Sequence, residues 1–261
     1  MMVESRYRVE PKDHTTGIWR YMTFDRYQQL IEQSGLWFSR LDLLQDQFEG
    51  MIPDRHFIGT VEWSTFIDPS DPSATPQPLR AYTNGMQAML SSGLDFFREL
   101  THVNCWHVRD HEATDMWNIY LNSQPGVAIH TTFGRLKTSL NSNHEHLVEF
   151  SKIHYIDHRT FVDPEAKWPD YMVFKRREFS HESELRAISL IDPRSPDRFT
   201  CSTPKNKGSY LSVDLPTLLH RVVLQPRANS DLSDRIKALH ARHGLESVPL
   251  AASALDSQPT R

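Results

Sequence analysis

The sequence predicts an α+β fold, a mixed and mostly antiparallel sheet of short strands with flanking helices. Two observations carry this. Short apolar or alternating runs are separated by helical segments of unequal length, not by the regular βαβ alternation of a doubly wound sheet. Neither G-x-G-x-x-G nor G-x-x-x-x-G-K-S/T occurs, so a Rossmann or P-loop fold would lack its phosphate-cradling glycines.

In chain order, 1–16 reads as a polar lead-in and 17–22 as a short strand. Thr23 reads as an N-cap for a helix carrying Phe24, Tyr27, Leu30 and Ile31, with Gly35 as its stop. A strand at 36–39 leads to a loop bearing Asp46, Phe48 and Glu49. Four prolines mark 68–80 as an exposed loop. Met86, Met89, Leu90, Leu94 and Phe97 suggest an amphipathic helix. Strands follow at 102–108 and 126–130, around a short helix at 114–123 with Thr114 as its cap. A polar helix near 134–140 precedes one or two strands within 146–156, a loop at 162–170, and an undecided helical or extended segment at 171–179. Strands at 184–191, 210–213 and 221–224, a turn of helix from Pro216, a helix at 230–243 starting near Asp231 or Ser233, and a last strand within 246–255 complete the pass. Residues 256–261 read as tail, and the whole, 1–261, as one domain.

A 38% hydrophobic and 24% charged composition supports a packed core. A net charge of −4 gives no global nucleic-acid footprint. Cys105 and Cys201 make no disulfide framework. No signal pattern or membrane-length apolar run is present, so a cytoplasmic protein without membrane partners is expected. His102, Cys105, His107 and His111 match no common zinc spacing, and no metal site is expected.

Four places could carry chemistry. Arg20, beside Tyr21 in an apolar strand, is costly to bury without an anionic partner; it suits a local carboxylate or a phosphate. Cys105 and His107 share one strand face. Trp117 and Tyr120 share a helix face, which suits a core or a platform for a planar ring. Glu182, Glu184 and Arg186 are spaced by two, which on a strand places the carboxylates about 6.5–7 Å apart on one face. Lys175 and Arg186 can keep them ionised. A pair of acids suits glycosyl transfer, where positive charge develops on a sugar carbon. The plainer alternative is a solvated strand start with a Glu–Arg pair.

The motifs WRYMTFDRYQQLIEQSGLWFSRLDLLQDQFEG, NCWH, MWNIYLNSQPGVAI and KRREFSHESELR, from Trp19 to Arg186, resemble the bacterial domain-of-unknown-function 2971 family. Gln45-Asp46-Gln47-Phe48-Glu49 departs from that family's usual Asn-Asp-Pro loop. The order of elements, with Arg20 on the first strand and Glu182-x-Glu184 opening a late one, more distantly resembles ADP-ribosyltransferases. That second resemblance implies an ADP-ribosyltransferase-like fold and NAD as substrate. The nicotinamide–ribose bond would be cleaved, with a protein, nucleic acid or water as acceptor, in a toxin or phage-defence setting. Arg20 and Tyr21, with Cys105, His107, Trp117 and Tyr120, would line the NAD site. Glu184 would stabilise the oxocarbenium-like charge and Glu182 would orient the acceptor, supported by Lys175, Arg186, Asp46 and Glu49. Two alternatives stand. One is a nuclease or nucleic-acid binder, with magnesium on Glu182, Glu184 and Asp46 and phosphate on Lys175, Arg176 and Arg177. The other is a non-catalytic ligand-binding module.

Overall fold

The computed structural model describes residues 6–53, 93–141, 147–163, 165–190 and 207–256. The 68–80 loop and the start of the helix expected from Met86 lie outside them. The strands are β1 (Gly17–Thr23), β2 (Gly35–Arg40), β3 (Thr101–Val108), β4 (Gly126–Thr132), β5 (Val148–Lys152), β6 (His154–Ile156), β7 (Phe174–Arg176), β8 (Glu184–Leu190), β9 (Gly208–Ser212), β10 (Arg221–Leu224) and β11 (Leu250–Ala251). The helices are α1 (Phe24–Glu32), α2 through 93–100, α3 (Thr114–Leu121), α4 (Phe133–Asn141), α5 (Trp168–Tyr171), α6 (Leu215–Leu218) and α7 (Ser230–Arg242). The protein is α+β, as its sequence predicts. Nine strands form one mixed, mostly antiparallel sheet in the order β11-β10-β4-β1-β3-β2-β9, with β8 on β3 and β5 on β8. The small β6–β7 sheet is parallel.

Period-two alternation builds a core on each sheet face. Ile18 and Met22 of β1, Trp106 of β3 and Leu185 of β8 face Tyr27, Leu30 and Ile31 of α1 and Leu232, Ile236 and Leu239 of α7. Trp19 and Tyr21 face Met116 and Trp117 of α3. Val103 and Ile188 pack with Met172, Val173 and Phe174. Among the described residues no helix is long and apolar enough to cross a membrane.

Several local expectations are corrected. The lead-in is not loose from residue 6 onward: the Tyr7 ring meets Phe174 edge-on at 4.8 Å, Arg8 pairs with Glu149, and Val9 C=O accepts from Lys152 N–H at 2.9 Å. Gly35 does not stop α1. Ser34 makes the left-handed turn at φ 45°, and Gly35 opens β2, where a Cβ would sit 3.2 Å from the Leu211 carbonyl. Thr23 holds the N-cap position of α1 without a side-chain cap bond. Thr114 lies inside α3, whose cap is Ala113; there Ala113 N–H donates to Tyr21 Oη at 3.0 Å. The strand therefore ties down the helix start, and no threonine is needed. Helix α7 is capped by Asn229, whose Oδ1 accepts from Leu232 N–H at 3.1 Å, and Asp231 lies in its first turn. Asn229→Ala is expected to cost about 1 kcal/mol, read as a lower urea midpoint with an unchanged slope.

β8 pairs with β3 along its length, from Thr101↔Leu190 to His107↔Glu184. The other edge of β3 is shared. β1 takes its C-terminal end at Trp19↔His107, and β2 takes its N-terminal end at Ser39↔Val103. Between these pairings β1 and β2 fork apart.

Candidate functional site

Side chains bridge the fork where strand pairing stops. Arg20 Nη1 donates to the Cys105 carbonyl, and Asn104 Nδ2 donates to the Trp37 carbonyl at 2.8 Å. A cleft of about 320 Å³ opens there. Its walls are Arg20, Tyr21 and Met22 of β1, Arg26, Gln29 and Leu30 of α1, and Leu36, Trp37 and Ser39 of β2, with Tyr120 of α3 and Tyr210 of β9. Arg20 and Tyr21 project from opposite sheet faces, so the cleft opens across the fork instead of lying on one face.

The charge in this cleft is unbalanced. No carboxylate lines it, and neither Arg20 nor Arg26 has an ion-pair partner among the described residues. Arg26 is exposed, but Arg20 is half-buried, with the Trp106 ring 6.0 Å from its guanidinium. Burial lowers the Arg20 pKa from its ordinary value. A guanidinium held away from water without an anion is costly, and an incoming diphosphate or carboxylate would relieve that cost.

On the other face of β8 lies a buried ion cluster. Arg186 Nε donates to Glu184 Oε1 at 2.8 Å, Nη1 to the Met172 carbonyl at 2.9 Å, and Nη2 to Glu49 Oε2. Lys175 Nζ donates to Glu184 Oε2 at 3.0 Å and to Glu182 Oε2 at 2.8 Å, and lies 3.4 Å from Glu49 Oε1. Burial alone would raise the Glu184 pKa, but the charges of Arg186 and Lys175 outweigh it and hold the carboxyl well below the usual range. Burial likewise opposes the charge on Lys175, and Glu184 and Glu49 reverse this, raising it. Burial, aided by the Glu184 charge, leaves Glu49 above the usual carboxylate range despite Arg186.

His107 connects the two regions. Its Nδ1–H donates to the Glu182 carbonyl at 2.8 Å, and its ring lies 5.2 Å from the Tyr120 ring at the cleft. Burial lowers its pKa to about 4, so at neutral pH the ring is uncharged and Nε2 carries the lone pair. Tyr120 feels the charges of both Glu182 and Glu184, and burial, the larger effect, raises its pKa.

The expected residues are thus distributed over two adjoining places. Arg20, Tyr21 and Tyr120 line the cleft, while Lys175, Glu182, Glu184, Arg186 and Glu49 form the cluster, with Cys105 and His107 at the junction. Asp46 pairs with Arg176 at 3.0 Å at the cluster's outer side. Trp117 is not in the cleft. It is buried, with Nε1–H donating to Glu112 at 3.1 Å, so its helix face is core and only the half-buried Tyr120 reaches the opening. Glu182 is not on the strand with Glu184. It ends a 3-10 turn, Arg177–Glu182, and Ser183, left-handed at φ 46°, reverses the chain before β8. Both carboxylates meet at Lys175 by that turn and not by strand alternation. Lys175 points into the cluster, its side chain 8% exposed, and cannot also contact a phosphate at the surface. The acids expected to hold magnesium are instead matched by Lys175, Arg186 and Arg176. Among the described residues no group of His, Cys, Asp or Glu is arranged to hold a metal ion.

Arg26, Gln29, Trp37 and Tyr210 line the cleft without being marked by the sequence. A cation on an exposed helix and aromatics on an edge-strand pair carry no pattern of their own. Comparison with protein-family models, with curated proteins and with solved structures finds no match.

Proposed function

We propose that the protein binds NAD in the forked cleft and cleaves its nicotinamide–ribose bond, passing ADP-ribose to a macromolecule or to water. The observation that carries the reading is the pair of cations without carboxylates, Arg20 and Arg26, in a cleft walled by four aromatic rings. Charge-assisted bonds to a diphosphate answer the two arginines. Rings answer the flat bases.

The acid of the reaction is assigned to Glu182. Both oxygens of Glu184 are taken by Arg186 and Lys175, and its side chain has no exposed surface. Glu182 Oε2 meets Lys175, its Oε1 has no hydrogen-bond partner among the described residues, and its side chain is 12% exposed. Its backbone carbonyl holds His107 and its charge reaches Tyr120. A carboxylate oxygen left open there can accept from a ribose hydroxyl that extends past Tyr120 and stabilise positive charge on the sugar carbon. Glu184 would then act as a positioning residue that fixes Lys175. The resemblance of the order of elements to ADP-ribosyltransferases is consistent with this reading.

The test is purified protein with NAD, followed by nicotinamide release and by calorimetric titration. Release is expected, and Arg20→Ala and Arg26→Ala are each expected to weaken NAD binding about tenfold or more, the worth of a charge-assisted hydrogen bond. Binding without release would leave a ligand-binding module. Loss of a labelled nucleic acid with divalent cation and no NAD would favour the nuclease reading.

A further inference from the structure

We infer that the open end of the cleft, at Trp37 and Tyr210, is a nucleobase-stacking subsite, which makes the ligand a nucleoside diphosphate or its conjugate; this rests on the reading of the cleft as a diphosphate site. Trp37 and Tyr210 are cross-strand partners of β2 and β9. Their rings lie 5.0 Å apart at 65°, edge against face, so they form a corner and do not close on each other. Trp37 is held rigidly. Its carbonyl accepts from Asn104, and a Cβ on Gly208 would come within 2.7 Å of the indole. The missing side chain at Gly208 therefore leaves room for the indole against β9. A half-buried, pre-set aromatic plane loses little freedom when a base stacks on it.

Unpartnered donors stand at this corner. Tyr210 Oη donates to Gln29 Oε1 at 3.2 Å, which leaves the Gln29 amide N–H groups turned away from that bond and without a partner among the described residues. The Trp37 indole N–H is likewise without a hydrogen-bond partner there. Donors beside a ring platform suit the acceptor edge of a base. With Arg20 and Arg26 on the adjoining walls, base and diphosphate fall in sequence along one cleft. Its volume, about 320 Å³, is at the small end of ligand pockets, which run from about 300 to 1,000 Å³. That suits a nucleoside diphosphate, with any further group extending past Tyr120.

The experiment is titration of the full chain with ADP and with inorganic pyrophosphate. ADP is expected to bind at least tenfold tighter than pyrophosphate. Trp37→Ala and Tyr210→Ala should weaken ADP about tenfold and leave pyrophosphate unchanged, and Trp37→Phe should restore most of the loss. Tyr210 is 37% exposed, so its variant tests the subsite even where Trp37→Ala fails to fold. ADP binding no tighter than pyrophosphate, or equal loss of both ligands in Tyr210→Ala, overturns the subsite. Trp37-dependent ADP binding without any cleavage of NAD supports the subsite and removes the glycosyl-transfer reading instead.

Discussion

Arg186→Met is expected to cost about 3–5 kcal/mol of folding stability at neutral pH. The guanidinium is fully buried and bonds two carboxylates and a backbone carbonyl. Methionine fills similar space but leaves Glu49 and Glu184 sharing Lys175 alone, so a buried negative charge goes unmatched. The pH dependence gives a second reading of the same cluster. Glu184 has a depressed pKa when folded, so its contribution is complete above the ordinary carboxylate value, about 4.3, and is lost as pH falls below it. Glu49 has the opposite sign, because its raised pKa means that ionising it at neutral pH works against folding. Protonation of either acid relieves the charge stranded by Arg186→Met. The cost measured by urea unfolding should therefore be larger at pH 7 than at pH 4. A cost under about 1 kcal/mol at pH 7 would mean that the cluster behaves as a solvated surface network.

The reason this cluster could be anticipated is local, and the reason the cleft could not is topological. Lys175, Glu182, Glu184 and Arg186 lie within twelve residues of sequence, and a charged run at the mouth of an apolar strand signals its own pairing. Glu49 arrives from 137 residues away, and only the resemblance to a known family, not any pattern in its own loop, points to its place beside Glu184. The strands themselves were legible, since β1, β3, β4 and β8 alternate or run apolar over five residues or more. What alternation cannot reveal is that β1 and β2 share one edge of β3. The cleft depends on that shared edge, so no local pattern marks Trp37 or Arg26, whereas helical spacing does mark Trp117. On a helix of eight residues Trp117 and Tyr120 share a face, but only packing against Tyr21 and Glu112 decides which of them is core. The expected alternation of Glu182 with Glu184 failed for a similar reason. A left-handed serine between two acids leaves no trace in an i,i+2 pattern.

Glu182→Gln is expected to lower NAD turnover on the order of a hundredfold or more while changing NAD affinity little, because the amide keeps the size and one hydrogen-bond acceptor but not the charge. The comparison with Glu184→Gln is what makes the result informative. Glu184 carries two buried ion pairs, at 2.8 and 3.0 Å, and neutralising it leaves Lys175 and Arg186 with a surplus of positive charge. That variant should lose stability first, with lost activity following from a displaced Lys175. Glu182 is partly exposed and shares only Lys175, so its variant should unfold at nearly the wild-type denaturant concentration. A catalytic Glu182 therefore predicts low turnover with normal stability, and a structural Glu184 predicts the reverse order of effects. Should Glu182→Gln turn over NAD at the wild-type rate while Glu184→Gln is inactive and stably folded, the acid would be Glu184 after all. The cluster would then have to open on ligand binding, with Glu184 released from Lys175 or Arg186. Breaking a buried ion pair is the cost of that arrangement, and it is the physical ground for placing the reaction at Glu182 Oε1, which has no hydrogen-bond partner among the described residues.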